Sequence, residues 1–296
     1  MSSWIKIRGS LALVGIFLNT LVMILPLYVF ALLRLVLRFH AAQVPLARIL
    51  VWIAETWMAT NNAIIGLFSG VSWRVQGLEG LKRDEWYLVT SNHQSWADIL
   101  VLQKVTNRRV PSLKFFLKQE LIWVPLLGLA WWALDFPFMK RYTRARLEKH
   151  PELRGKDMET TRKQCEKYAH FPVSVMNFLE GTRFTRAKHD QQASPYTHLL
   201  KPKAGGAAFT LKAMAGRLHC LLDVTIVYPP GTSRSLLGFL GGAMRQVEVT
   251  IRQRPIPVWA AQGDYENDPE FRQRFQAWIS EIWTEKDALL EARLSA

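Results

Sequence analysis

The chain has 296 residues, a formal net charge of +14 and two cysteines, and 49% of its residues are hydrophobic. Two cysteines outside any paired spacing exclude a disulfide framework and a cysteine-rich zinc site. The positive charge favours an anionic partner, and the sequence has no helix-turn-helix, zinc-finger or RNA-recognition signature that would make this partner nucleic acid. We therefore expect a cytoplasm-facing protein that contacts anionic lipid or a phosphorylated substrate.

The first predicted element is a membrane anchor. Residues 9–33 contain no Asp, Glu, Lys or Arg, and a helix of that length crosses a hydrocarbon core of roughly 30 Å. Pro26 is expected to kink this helix or to allow a re-entrant hairpin. A second apolar stretch, residues 49–68, is either a second membrane helix or one that lies in the interface. Basic residues on both sides of the first run favour two passes, or a hairpin, with both ends cytoplasmic. We assign residues 1–69 to anchoring.

Residues 70–296 form the predicted catalytic domain, which is long enough for one sizeable core. Apolar runs alternate with helical patterns, and this predicts an α/β fold with a mixed, largely parallel sheet flanked by helices. The predicted strands are 86–91, 112–117, 133–138, 172–179, 220–228 and 245–251. The predicted helices are 97–105, 119–130, 157–170, 203–215 and 269–290.

A histidine and an aspartate, His93 and Asp98, follow the predicted strand 86–91 and are five positions apart. On a regular helix they would face different sides, so they meet only if His93 precedes the helix and Asp98 lies in its first turn. A neutral imidazole accepts a proton near neutral pH, and a carboxylate at its other nitrogen fixes the tautomer. The pair is a candidate general base, with a chance placement of the two residues as the alternative.

A second cluster, Glu180-Gly181-Thr182-Arg183, follows the predicted strand 172–179. The glycine allows a ligand to approach the backbone, and the arginine offers a planar fork for phosphate. Lys203 is a candidate for a further phosphate contact, and a solvated lysine is an equally open interpretation. The densest basic run, residues 140–146, is expected to be mostly a solvated face.

Four segments resemble, in order and spacing, the motifs of the glycerolipid acyltransferases, the 1-acylglycerol-3-phosphate acyltransferase (PlsC-like) superfamily. They are Asn92–Asp98, Phe138–Arg141, Phe178–Arg183 and Val224–Pro229. The longer stretches around the first two motifs are most similar to a branch with a bacterial membrane acyltransferase and the animal lysophosphatidylinositol and lysocardiolipin acyltransferases. Two positions depart from the pattern. Lys140 replaces an acidic residue, and Tyr228 stands where the fourth motif has its proline, which follows as Pro229.

The resemblance implies transfer of a fatty acyl group from acyl-CoA or acyl carrier protein to the sn-2 hydroxyl of a lysophospholipid, above all lysophosphatidic acid. It implies that His93 is the general base, that Asp98 orients it, and that Glu180 orients Arg183 or the glycerol. The implied substrate-binding residues are Arg141, Glu180, Gly181, Thr182, Arg183 and Lys203.

The resemblance further implies no metal, no cofactor beyond the acyl donor, and no nucleic-acid partner. Its expected partners are the lysophospholipid, the donor and anionic membrane lipid. The expected location is the inner (cytoplasmic) membrane, with the catalytic domain in the cytoplasm. Three alternatives stay open: a remodelling acyltransferase for another head group, a CoA-independent transacylase that uses the same His93 and Asp98, and a non-catalytic membrane- or nucleic-acid-binding protein.

Overall fold

The computed structural model describes residues 2–139, 156–169, 171–214, 216–231 and 234–295. Arg141, a predicted phosphate ligand, and the basic run 140–146 lie outside the described residues. The two residues before this run, Phe138 and Met139, are described. The helices are α1 (Ser3–Val36), α2 (His40–Ser69), α3 (Ala97–Thr106), α4 (Leu127–Ala133), α5 (Lys156–Cys165), α6 (Arg186–Gln191), α7 (Gly205–Ala213), α8 (Leu236–Gly241) and α9 (Pro269–Leu294). The strands are β1 (Ser72–Gln76), β2 (Tyr87–Ser91), β3 (Leu113–Phe115), β4 (Leu117–Lys118), β5 (Phe138–Met139), β6 (Ser174–Asn177), β7 (Cys220–Val227) and β8 (Gln246–Pro255).

A six-stranded sheet in the order β1-β8-β7-β2-β6-β3 forms the centre of the α/β domain. Every neighbouring pair is parallel except β7 with β8, which confirms the predicted mixed, largely parallel sheet. All five residues of β2 are buried, as expected for a central strand that is covered on both faces. Because β2, β6 and β7 are parallel, the segments that leave their carboxyl ends meet at one edge of the sheet.

The two faces of the sheet carry separate apolar cores. One face packs against α7 and α9, with Phe275 and Trp283 fully buried. The other packs against α3 and α8, with Leu102 and Phe239 fully buried. The stripe of apolar residues on the last helix therefore covers the sheet. Asp268 caps this helix by accepting hydrogen bonds from two main-chain N–H groups of its first turn, both at 3.0 Å.

The first two helices form an antiparallel hairpin, and polar side chains of the hairpin join its two helices to each other and to the α/β domain. Asn19 of α1 donates to Asn61 of α2 at 2.8 Å. Glu55 of α2 is buried and pairs with Arg83 of the α/β domain at 2.6 Å. The polar residues that interrupt the second apolar stretch thus join the helices to each other and to the domain. Among the described residues, α1 is the one helix long and apolar enough to cross a membrane.

Both ends of α1 contact the α/β domain. Near its start, Gly9 lies so close to the main chain of α8 that an added Cβ would be 2.5 Å from the Leu237 carbonyl oxygen. Near its end, Arg34 pairs with Asp135 at 2.7 Å. The helix continues through Pro26, so the re-entrant hairpin proposed at that residue is wrong, and the chain turns between Val36 and His40. The helix therefore lies along the domain, with many apolar side chains exposed.

The segment 119–138 differs from its prediction of a helix over 119–130 and a strand over 133–138. A 3-10 helix covers Gln119–Trp123, α4 follows, and β5 is a two-residue strand paired with β4 outside the main sheet. Pro125 has no N–H to continue a helix. Leu126 and Asp135 have φ of 64° and 62°, values that break regular structure on either side of α4. Strand β1 and the short helices α6 and α8 were not predicted.

Candidate active site

His93 and Asp98 are in contact at the carboxyl edge of the sheet. His93 lies between β2 and α3, Asp98 lies in the first turn of α3, and His93 Nδ1 is 2.8 Å from Asp98 Oδ2. A carboxylate at Nδ1 favours the tautomer with the proton on that nitrogen, which leaves Nε2 free to accept one. The ring of Phe178 stacks on the imidazole with centroids 4.0 Å apart. The imidazole of His93 is therefore fixed in orientation, and its Nε2 is available for chemistry.

The main chain around His93 is held by three neighbours. Its N–H donates to Glu180 Oε1 at 2.7 Å, and its carbonyl accepts from the Phe184 N–H at 2.7 Å. The preceding Asn92 side chain both donates to the Ile226 carbonyl and accepts from the Ile226 N–H, each at 2.8 Å. The Asn92 side chain thus adds one more hydrogen-bonded rung to the β2–β7 pair, and the histidine follows directly.

Glu180 is fully buried, and its contacts differ from those expected for it. Its second oxygen accepts from the Leu200 N–H at 3.0 Å, so both carboxylate oxygens contact main chain. Burial raises the pKa of Glu180 to about 7, against the lowering effect of the two N–H donors. Glu180 thus holds the His93 main chain, and among the described residues Arg183 contacts Trp96 and Lys188 rather than Glu180.

Asp98 is fully buried and accepts four hydrogen bonds. Besides His93, its Oδ2 accepts from the N–H groups of Gln94 at 2.6 Å and Ser95 at 2.9 Å. Its Oδ1 accepts from the Tyr228 hydroxyl at 2.5 Å. Sequence reasoning did not assign this contact, although Tyr228 stood out as a departure from the fourth motif.

A cavity of about 680 Å³ opens beside His93, a volume in the range of small-ligand sites. Its apolar wall includes four phenylalanines and two methionines. They are Phe115, Phe116, Phe178, Phe209, Met139 and Met176. Its polar side includes Gly181, Thr182, Arg183 and Lys203, which were predicted as binding residues and do line one space. The cavity therefore joins an apolar half to a cationic half.

Within the part of the chain that the structure describes, the cationic half has no acidic side chain in its lining. The Arg183 guanidinium lies 4.5 Å from the ring centroid of Trp96. Lys203 crosses over Gly181, which has a φ of +68°, and a Cβ there would be 3.2 Å from the lysine side chain. Thr182 Oγ1 accepts from Lys188 Nζ at 2.6 Å, so a cation that the sequence did not single out contacts one of the lining residues. The amino end of α7, at Gly205 and Gly206, also faces the cavity and favours an anion.

A second cavity, of about 760 Å³, lies between the α1–α2 hairpin and the amino ends of β3 and β6. It is slightly larger, but its lining has no histidine among the described residues. Of these two cavities, the one at His93 is the candidate active site, because among the described residues it combines a histidine with cations that pair with no carboxylate. Within the described ranges no group of three or more His, Cys, Asp or Glu side chains is placed to hold a metal ion.

The model of a family described as "Acyltransferase" matches residues 72–230, a segment that runs from β1 through the His93 site to Tyr228 and the loop beyond β7. The chain belongs to the acyltransferase family. It is 27% identical to mouse 1-acyl-sn-glycerol-3-phosphate acyltransferase gamma over 219 residues, which covers 70% of this chain and 53% of that protein. It is 27% identical to the rat delta enzyme over 214 residues, which covers 69% of this chain and 52% of that protein. This acyltransferase thus spans about half the length of the curated relatives that it matches.

A solved structure gives the same fold. The crystal structure of the 1-acyl-sn-glycerophosphate acyltransferase PlsC from Thermotoga maritima matches this acyltransferase with a TM-score of 0.52 and 19% sequence identity. The match covers 95% of this chain and 98% of that one. The likeness therefore extends over the helical hairpin as well as the α/β domain.

Proposed function

We propose that this acyltransferase moves a fatty acyl group from acyl-CoA or acyl carrier protein to the sn-2 hydroxyl of a lysophospholipid, with lysophosphatidic acid as acceptor and phosphatidic acid as product. The observation that carries the proposal is the His93–Asp98 pair beside a cavity whose described lining has two cationic side chains and no acidic one. An apolar wall fits an acyl chain, and Arg183 with Lys203 fits a phosphate. The names of the mouse gamma and rat delta relatives support the same acceptor.

In the proposed reaction His93 Nε2 takes the proton of the sn-2 hydroxyl as its oxygen attacks the thioester carbonyl carbon. Asp98, at 2.8 Å from Nδ1, stabilises the imidazolium that forms. The C–S bond then breaks, and His93 returns the proton to the departing sulfur. No acyl-enzyme forms, and the chemistry needs no metal or further cofactor. Arg183 binds the acceptor phosphate, with Lys203 and Arg141 as additional ligands.

The hairpin supports attachment to the inner (cytoplasmic) membrane, with the α/β domain in the cytoplasm. Its exposed face carries large apolar side chains such as Phe17 and Leu25, the latter 66% exposed. Because both ends of α1 contact the same domain, a hairpin that lies in one leaflet fits better than two passes. The net charge of +14 favours anionic lipid at that surface. The similarity to the branch with the bacterial membrane acyltransferase and the animal lysophosphatidylinositol and lysocardiolipin acyltransferases is part of the same proposal.

The test uses detergent-purified protein, a panel of lysophospholipids, and oleoyl-CoA or oleoyl-carrier protein as donor. Thiol release and product mass spectrometry are followed for the wild type, for His93→Ala, and for His198→Ala as the matched control. His198 also pairs with a carboxylate, Glu291 at 2.8 Å, but lies outside the cavity.

We expect thiol release and diacyl product from the wild type and His198→Ala, with a loss of about 10³-fold in His93→Ala. Product only with lysophosphatidylinositol or another head group would replace the proposed acceptor. Transfer between phospholipids without any donor thioester would replace the proposed reaction by a transacylase. Folded protein without turnover in every arm would overturn the proposal.

A further inference from the structure

Among the described residues, hydrogen bonds rather than Lys or Arg side chains stabilise the Asp98 carboxylate. It has no exposed surface, and among the described residues its single ion-pair partner is His93. Three of its four donors converge on Oδ2, which faces His93. The remaining oxygen, Oδ1, accepts from one group, the Tyr228 hydroxyl, at 2.5 Å. Rotation of the carboxylate would break this contact and those at Oδ2 together.

Tyr228 reaches Asp98 from the neighbouring strand. It directly follows β7, whose carboxyl end is parallel and adjacent to that of β2, and its side chain is 1% exposed. The two residues are 130 positions apart in the chain, so only the sheet brings them together. Burial, followed by the nearby Asp98 charge, raises the pKa of Tyr228 well above its usual value. The hydroxyl therefore stays protonated, and so remains a donor, near neutral pH.

We propose that Tyr228 is a positioning residue for the acyl transfer, one that sets both the orientation and the basicity of Asp98. The proposal rests on the proposed function. The hydroxyl fixes the carboxylate so that Oδ2 faces His93 Nδ1, and it draws negative charge toward Oδ1. Because a carboxylate that donates less charge holds the imidazolium less tightly, Tyr228 keeps His93 unprotonated, and so available as a base, at lower pH.

Among the described residues, three other titratable or charged groups lie near Asp98 and Tyr228. His93 contacts Asp98 from the β2–α3 turn, and Glu180 interacts electrostatically with Asp98 from the loop after β6. Arg234 lies near Tyr228 in the segment before α8. Among the described residues, the Tyr228 hydroxyl is the neutral side-chain donor to Asp98. A substitution that removes only this oxygen therefore changes hydrogen bonding at Asp98 without changing the formal charge of the site.

The test compares Tyr228→Phe with Tyr87→Phe. Tyr87 is an equally buried tyrosine at the opposite end of β2, and its hydroxyl accepts from the Lys82 N–H at 3.0 Å. We expect Tyr228→Phe to lower kcat about tenfold, with an acceptor KM within about twofold of the wild type. The acid limb of kcat/KM against pH should move up by about half a pH unit, because His93 then keeps its proton to higher pH. Tyr87→Phe should change neither quantity.

A double-mutant cycle separates positioning from packing. In the Asp98→Ala background, Tyr228→Phe should cost less than about twofold, because the carboxylate that it positions is gone. An equal loss in both backgrounds, or an acid limb that does not move, would overturn the proposal and leave Tyr228 as a packing residue.

A measurement without turnover keeps this test independent of the proposed reaction. With ¹³C-labelled histidine, and His93→Ala to assign the resonance, the pH at which the His93 ring titrates is followed directly. We expect this midpoint to rise in Tyr228→Phe and to stay constant in Tyr87→Phe. If the wild type transfers no acyl group but the midpoint rises, the proposed function fails and the coupling of Tyr228 to His93 stands. An unchanged midpoint would overturn the coupling.

Discussion

Two buried aspartates at the centre of this acyltransferase are stabilised in opposite ways. Asp223, on β7 beside Thr90 of β2, pairs with Lys286 at 2.6 Å and with Arg254 at 3.1 Å. Asp98 is equally buried but accepts from main-chain N–H groups, a tyrosine and His93. Two basic side chains neutralise the first charge, whereas the second remains available, in the proposed reaction, to stabilise a proton that arrives on His93. The difference separates a carboxylate that holds α9 on the sheet from one suited to catalysis.

The largest expected effect concerns the proposed catalytic pair, His93 and Asp98. We expect His93→Ala and Asp98→Ala each to lower kcat by about 10³-fold, and the double variant to lose no more than a few-fold beyond the worse single one. Groups that act as a unit give such non-additive losses. Steady-state rates of the three variants check this. Losses that multiply would mean that Asp98 acts independently of His93, and the contrast with Asp223 would lose its meaning.

Removal of the cation at Asp223 should affect stability rather than chemistry. Lys286 is fully buried, burial lowers its pKa, and its ammonium also donates to the Val224 carbonyl at 2.5 Å. Lys286→Met leaves Asp223 with Arg254 alone, and we expect a loss of about 3 kcal/mol in the free energy of unfolding. The control is Lys212→Met, which breaks an exposed pair with Asp264 and should cost less than about 1 kcal/mol.

Thermal and denaturant unfolding in detergent measure both losses. The Lys286→Met protein that remains folded should keep an acid limb in its pH profile like that of the wild type. A shift of that limb would show that the ion-paired aspartate also influences the base, and would blur the distinction between the two carboxylates.

Glu180 sharpens the comparison, because it is buried without an ion-pair partner among the described residues. Its pKa is raised from 4.5 to about 7, so the folded state binds its proton more tightly than the unfolded state. The stability that this gives is fully present below about pH 4.5 and is lost as pH rises through about 7. The difference between these two pKa values is equivalent to about 3 kcal/mol. Between about pH 4 and about pH 8, the free energy of unfolding should therefore decrease more steeply with pH for the wild type than for Glu180→Gln. The exposed control, Glu270→Gln, should match the wild type.

The smallest effect concerns the cations of the cavity. Unlike Lys286 and Arg254, neither Arg183 nor Lys203 pairs with a carboxylate among the described residues. Arg183→Ala should raise the acceptor KM about tenfold while the donor KM stays within about twofold. The control, Arg186→Ala, removes an exposed arginine that pairs with Asp190 at 3.2 Å. An unchanged acceptor KM with a lowered kcat would place Arg183 at the transition state instead.

Local sequence determined the parts of this molecule that were predictable. The five-position spacing of His93 and Asp98 required a strand, a turn and the first turn of a helix, and all three are present. Buried parallel strands have near-continuous apolar sequences, so β2, β6 and β7 could be predicted. The structure of segment 119–138 could not be predicted, because the backbone at Leu126 and Asp135 adopts positive φ that these residue types do not indicate.

Contacts between residues far apart in the chain also could not be predicted from the sequence. The role of Glu180 depends on two main-chain N–H groups, at His93 and Leu200, that the fold brings to it. A short motif shows that such a carboxylate exists but not which way it points. Tyr228 gave a signal, since it departed from the expected proline, yet its partner could be found only once β7 was placed beside β2.

The hydrogen bonds around the His93 main chain have a consequence for how the enzyme loses activity. Loops at active sites usually open long before the core does. Here the amide protons of His93 and Phe184 are both donated within the protein, and Asn92 ties the same turn to β7. Their hydrogen exchange should therefore be as slow as that of β2 itself. The turn that holds His93 would then belong to the most slowly opening unit of the protein, and on heating, loss of the proposed base and melting of the sheet should be a single event.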